Sequence, residues 1–260
     1  MSLPENLSQF DTLVDIIARL RAPDGCPWDR EQTHASLREN LLEECYEVLE
    51  ALDEGDSKRL GEELGDLMMQ IVLHAQIATE VGEFELGDVL TSINAKLIHR
   101  HPHIFGSGKV KDADEVALNW EALKREERDI GTSILASVPQ QMPALGYSQT
   151  IQRRVAQVGF DWEDIDGVID KLVEEVGEFK QANTTESKAR EFGDLLFTLV
   201  NVARRLGIDS EAALREANQR FCRRFTYMEE VCLQRGINIG ELSFDEQNAL
   251  WEEAKQKVEE

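Results

Sequence analysis

The chain is 260 residues long and 42% apolar, which excludes disorder over most of its length and leaves room for one large domain or two ordinary ones. Its 51 acidic residues against 28 lysines and arginines give a formal charge of −23, and so acidic a surface repels nucleic acid polymers. No window offers about 18 consecutive apolar residues, and MSLPENLSQF has no basic stretch followed by an apolar one, so the expectation is a soluble, cytoplasmic protein with no membrane partner.

Helical spacing begins with Phe10, Leu13, Ile16, Ile17 and Leu20 and resumes with Leu37, Leu41, Cys45, Val48 and Leu52. Further helices are predicted over 57–81, 87–100, 113–129, 144–157, 166–182, 186–206, 209–235 and 243–258. Strand-like alternation is nearly absent, so the fold class expected is all-α. The segment GTSILASVPQQMP (131–143), with two prolines, reads as a linker. Cys26, Cys45, Cys222 and Cys232 show no CxxC spacing and are read as reduced.

The second half of the chain restates the first at an offset of about 130 residues. LLEECYEVLEAL (41–52) returns as LVEEVGEFKQA (172–182), and GEELGDLMMQIV (61–72) as AREFGDLLFTLV (189–200). NAKLIHRH (94–101) is echoed by NQRFCRRF (218–225), and NWEALK (119–124) by LWEEAK (250–255). Four matches in the same order predict two homologous helical domains, 1–130 and 144–260, on either side of the linker.

In each repeat one helix carries Glu-Glu-x-x-Glu and the next Glu-x-x-Asp. These are Glu43, Glu44, Glu47, Glu63 and Asp66 first, then Glu174, Glu175, Glu178, Glu191 and Asp194. Residues three or four apart share a helix face, so an antiparallel hairpin would converge carboxylates from both helices. The second motif of each pair runs into LMMQIVL or LLFTLV, apolar nearly all round and expected to be buried. Carboxylates clustered there need a positive charge, and all-oxygen ligation favours Mg²⁺, with Mn²⁺ as a substitute. A carboxylate di-iron site wants Glu-x-x-His; here the motif is Glu-x-x-Asp, and His74 has only Val202 as its counterpart.

Magnesium held by carboxylates takes its remaining ligands from water and phosphate, so the substrate should be polyanionic and cations should lie nearby. Lys96, Arg100 and Lys124 match Arg220, Arg224 and Lys255 across the repeat, and Trp120 and Trp251 each stand four residues before the repeated lysine. Each tryptophan could stack on a base or close the core. Three further signals are set aside: His99, His101 and His103 are interrupted by Pro102 and have no second copy; GSGK (106–109) lacks the rest of a phosphate-binding loop; and no serine or cysteine shows a nucleophile motif.

Taken together, EExxE, ExxD, the asparagine-plus-basic helix and W-x-x-x-K resemble the MazG family of all-α nucleoside triphosphate pyrophosphohydrolases, and GCPWD (25–29) and HRHPHIFG (99–106) extend the resemblance over nearly the whole chain. It implies two tandem MazG-like helical-bundle domains, a homodimer of interlocked helices, and Mg²⁺-dependent hydrolysis of NTPs and dNTPs to the monophosphate and pyrophosphate. The metal ligands it implies are Glu175, Glu178, Glu191 and Asp194 in the second repeat and Glu44, Glu47, Glu63 and Asp66 in the first. Nucleotide contacts would fall on Lys171, Lys188, Arg190, Arg220, Arg224, Trp251 and Lys255, with Lys96, Arg100 and Lys124 their first-repeat equivalents. Glu174 or Glu175 would orient the attacking water, and Arg224 and Lys255 would stabilise the transition state.

One departure from the repeat stands out. Lys171 lies four residues before Glu175, but Asn40 occupies the matching place before Glu44. The expectation is that the C-terminal domain carries most of the hydrolysis while the N-terminal one is weaker or regulatory, with room for a regulatory protein partner. A non-catalytic nucleotide-sensing or partner-binding helical dimer stays open as the second reading.

Overall fold

The computed structural model describes residues 6–113, 115–116, 119–120, 123 and 131–258, which form helices and loops without a strand. The chain divides into two compact units, Met1–Arg128 and Asp129–Glu260. The helix predicted over 113–129 falls largely on residues outside those described, as does Lys124.

The first unit contains α1 (Phe10–Arg21), α2 (Pro27–Glu31), α3 (Arg38–Glu54), α4 (Ser57–Val81), α5 (Leu86–Arg100) and α6 (Pro102–Phe105). Its core is small: Ile17 of α1, Leu37 just before α3, and Val72, Leu73 and Ile77 of α4 are buried together, with Leu13, Val14, Leu20 and Met69 packed around them. Arg21 ties this bundle from the side. Its guanidinium donates to both carboxylate oxygens of Glu80 on α4 and to the backbone carbonyls of Asp29 and Gln32, which holds Glu80 below the usual carboxylate range.

A tight turn makes α3 and α4 an antiparallel hairpin. Gly55 closes α3 at φ +68°, a left-handed conformation that costs glycine nothing, and Asp56 then caps α4 by accepting from the amides of Lys58 and Arg59. Pro102 opens α6 directly after α5, the break its ring dictates, and the glycines of GSGK lie in the loop beyond, with Gly106 and Gly108 bonded to the Pro102 carbonyl.

The second unit contains α7 (Ala144–Ala156), α8 (Ile165–Gln181), α9 (Thr185–Arg205), α10 (Ser210–Arg235) and α11 (Phe244–Val258), with a 3₁₀ turn at Ile239–Glu241. Here α8 and α9 form the hairpin: Asp164 caps α8, and Thr184 with Ser187 forms a reciprocal cap at the start of α9. Buried polar groups fix the neighbours of α9. Gln149 of α7 donates to the Ile208 carbonyl and accepts from Ser210, Gln152 donates to the Phe197 carbonyl, and Arg204 and Arg205 grip Asp161. A separate core of Met228, Val231, Cys232, Leu250 and Ala254 joins α10 to α11.

The apolar all-round stretches after the ExxD acids are not wholly buried. Leu64, Met68 and Ile71 on α4 stay exposed, as do Phe192, Leu196 and Leu199 on α9. Leu42, Tyr46 and Leu49 on α3 and Val173 and Val176 on α8 continue these faces. A hairpin helix has several sides, and the neighbours within its own unit cover only part of them.

Candidate metal centre

Each hairpin converges three carboxylates. In the first unit, oxygens of Glu44, Glu63 and Asp66 lie within 4.8 Å of one another; in the second, those of Glu175, Glu178 and Glu191 do. Both sets take acids from both helices, as the i, i+3 spacing on facing helices requires. Glu47 lies outside the first triplet but borders Glu44, and Asp194, exposed on α9, lies outside the second.

Electrostatic conditions differ between the two. In the second unit Glu175 is only 4% exposed, and one of its oxygens, Oε2, is buried without a hydrogen-bond partner. Its other oxygen meets Lys171 Nζ at 2.9 Å, and the same ammonium holds Glu174 Oε1 at 2.7 Å. Two carboxylates raise the Lys171 pKa above its ordinary value, first through the bond to Glu174 and then through Glu175.

In the first unit burial pushes Glu44 up, and the negative charges of Asp66 and Glu47 push it further, while the amide of Gln70 favours its ionised form. Gln70 is 3% exposed, and its own carbonyl oxygen has no partner. A cation does serve this cluster, although Asn40 stands where Lys171 would be: Arg59 bonds through Nε to Glu63 at 3.2 Å and through its two terminal nitrogens to Glu50 at 2.5 Å and Glu54 at 2.9 Å. Arg59 has no mark in the repeat, since its counterpart at the same offset is Ser187. The available clue was its place four residues before Glu63.

The chemistry of both sets suits a divalent cation. They supply several hard anionic oxygens at short range, and each contains or adjoins a buried oxygen that the protein leaves unsatisfied. No histidine joins them; His74 is bonded instead to His34, Nδ1 to Nδ1 at 2.7 Å with the rings parallel. Burial and the neighbouring His34 lower the His74 pKa.

Besides Lys171, the expected nucleotide-contacting residues make contacts of their own. Arg224 lies over the Trp251 ring at 5.6 Å, as Arg100 lies over Trp120 at 5.4 Å, so the repeat extends to a cation–π contact in each unit. Trp251 also packs on Phe221 and on the α10–α11 core, which is the core role its sequence context allowed. Arg220 pairs with Glu216 and Lys255 with Glu252, each on its own helix. Lys188 and Arg190 are exposed on the first turns of α9, and Lys96 is exposed on α5 beside an open cavity of about 440 Å³ that Phe84 and Ile93 also line. Lys171 and Arg59 are cations bonded directly to acids of the carboxylate triplets.

Comparison with known proteins yields four similarities. Residues 32–105 match the MazG nucleotide pyrophosphohydrolase domain. The whole-length nucleoside triphosphate pyrophosphohydrolase/pyrophosphatase MazG of Thermotoga maritima is 44% identical over 247 residues, 95% of each chain, and the nucleoside triphosphate pyrophosphohydrolase of Escherichia coli K12 is 42% identical over 259 residues, 96% of this chain and 98% of that one. Among solved structures, a mazG-related protein from Thermotoga maritima is 30% identical, covering 44% of this chain and 98% of its own, with a TM-score of 0.39.

Proposed function

The chain belongs to the MazG family of nucleotide pyrophosphohydrolases, enzymes that hydrolyse phosphoric anhydrides, and from that membership we propose that it cleaves nucleoside triphosphates, ribo- and deoxyribo- alike, between the α and β phosphates. Water adds to phosphorus, the anhydride bond breaks, and the products are a nucleoside monophosphate, pyrophosphate and a proton. The observation that carries this reading is the triplet Glu175, Glu178 and Glu191 with its unsatisfied buried oxygen.

These three residues, joined by Asp194 from the next turn, would hold Mg²⁺. Once bound, the ion supplies charge neutralisation for the phosphate oxygens and acidifies a water. The protein's own groups do the rest. Glu174, exposed and sharing the Lys171 ammonium with Glu175, would accept a proton from water. Lys171, 34% exposed and bonded only to acids of its own helix, can leave them for a phosphate oxygen. Arg224 and Lys255 add positive charge for the polyphosphate from α10 and α11.

The Lys171 ammonium beside the second cluster, held by two acids of its own helix, is why we assign most of the hydrolysis to that unit. Arg59, held at three points, cannot be lent to a substrate in the same way. The exposed faces of the two hairpins suit a homodimer, in which a second copy would cover Leu64, Met68, Phe192 and Leu196. Replacing Glu175 and Glu44 separately by Ala and measuring pyrophosphate release tests the division of labour; equal losses would sink it. Hydrolysis in ¹⁸O-labelled water should put the label on one of the two products, and release of the γ phosphate, or binding without monophosphate formation, would contradict the scheme.

A further inference from the structure

We infer that Arg59 is the positioning residue of the first unit's carboxylate cluster, fixing Glu63 so that this cluster binds a divalent cation without any counterpart of Lys171. The inference rests on the proposed metal role of the carboxylates and goes beyond it by naming the group that builds the first site. Three observations support it.

The first is connectivity. Arg59 sits in the opening turn of α4, and its fork reaches Glu63 one turn later on the same helix and Glu50 and Glu54 one turn apart on α3. A planar guanidinium with five donors in fixed directions can satisfy three carboxylates at once, which an ammonium on a flexible stem does poorly. Arg59 thus locks the end of the hairpin nearest the turn and sets the direction of the Glu63 carboxylate.

The second is that Glu63 serves both groups. Its Oε1 accepts from Arg59 Nε, and one of its carboxylate oxygens lies within 4.8 Å of oxygens on Glu44 and Asp66. A carboxylate that is hydrogen-bonded from outside while it faces other acids is in the position of an oriented metal ligand, and loss of such outer partners generally weakens metal binding about 10–100-fold. The third is the buried Gln70, whose amide lies against Glu44 and whose oxygen lacks a partner. Beside Glu44 the fold thus keeps a buried acceptor without a partner.

The two units therefore support their clusters from opposite ends. Lys171 lies on the side of the acids away from the hairpin turn and is bound to the first-helix acids; Arg59 lies on the turn side and is bound to the second-helix acid. Alignment of the repeats alone would count the first site as missing its cation.

The test is Mn²⁺ binding, followed by electron paramagnetic resonance on the full chain, with Glu178→Gln and Glu191→Gln introduced to silence the second cluster. In that background Arg59→Gln should weaken Mn²⁺ binding by about tenfold or more, and Arg59→Lys should recover part of the loss. Unchanged or tighter binding in Arg59→Gln would make Arg59 a competing counter-ion and overturn the inference. Should Arg59→Gln fail to fold by circular dichroism, Arg59→Lys carries the test: undiminished affinity there rules out positioning by the fork. Glu63→Gln serves as the control on the underlying reading, since Mn²⁺ affinity indifferent to Glu63 means that the cluster holds no metal at all.

Discussion

Replacing Glu175 by Gln separates a metal ligand from a structural ion-pair partner, because the two roles predict opposite signs in the metal-free protein. The substitution keeps the volume and removes the charge. In the absence of metal, Glu175 buries a charge whose Oε2 has no partner, and although the amide atom that replaces it is also unpaired, a neutral group there is cheaper to desolvate, by about 1–3 kcal/mol. Against this stands its contact with Lys171, an i, i+4 pair whose ammonium is a third exposed and keeps Glu174 at 2.7 Å after the change. Such a pair contributes only about 0.3–0.5 kcal/mol. Desolvation wins, and the variant should be as stable as the parent or more stable in chelator. With a divalent cation at a hundred times its dissociation constant, the parent gains about 2.7 kcal/mol, on the order of 10 °C for a unit of this size, and the variant should lose most of that rise. Calorimetric melting of the full chain in EDTA and in Mg²⁺ reads both effects. A variant that melts several degrees lower in EDTA, yet gains the same increment from Mg²⁺, would refute the reasoning and return Glu175 to a purely structural role.

Other outcomes follow from the packing. Asp161→Asn should cost about 2–3 kcal/mol at pH 7 by leaving Arg204 and Arg205 without their acid. The arginines lower the Asp161 pKa, so its stabilisation is complete above the ordinary carboxylate value and fades as pH falls through the lowered one. The gap between variant and parent in urea melts should therefore close only below about pH 3.8. Leu37→Ala, at a site 1% exposed among Ile17, Val72 and Ile77, should cost about 2–5 kcal/mol and shift the urea midpoint of the first transition downward. If a second copy covers the hairpin faces, Leu64→Glu together with Phe192→Glu should halve the mass found by light scattering; an unchanged mass would place the dimer contact elsewhere.

Much of the fold was legible in the sequence. Apolar spacing located the long described helices to within a residue or two, from Phe10–Arg21 to Phe244–Val258, because each must keep one face for its neighbours and their period is fixed by the backbone; the short α2 and α6, too brief to show a period, were not predicted. The internal repeat and the spacing of Glu44, Glu63 and Asp66, and of Glu175, Glu178 and Glu191, pointed to carboxylates meeting across a hairpin, since helix geometry converts i, i+3 into a shared face. What periodicity could not say is which side of α4 or α9 its own unit covers. Both helices are apolar on several faces, and only packing distinguishes the buried Val72 from the exposed Ile71.

The sequence by itself determined the all-helical class, the element order and the identity of the acids, because these follow from local backbone geometry and side-chain chemistry. Tertiary structure alone decided which acids meet within reach of one ion, and which cation balances them. Arg59 reaches Glu50 and Glu54 only because a tight turn folds α3 back along α4, and a partner nine residues away in sequence carries no periodic mark. Local rules fix what a helix presents; where two helices meet depends on the whole of their packing.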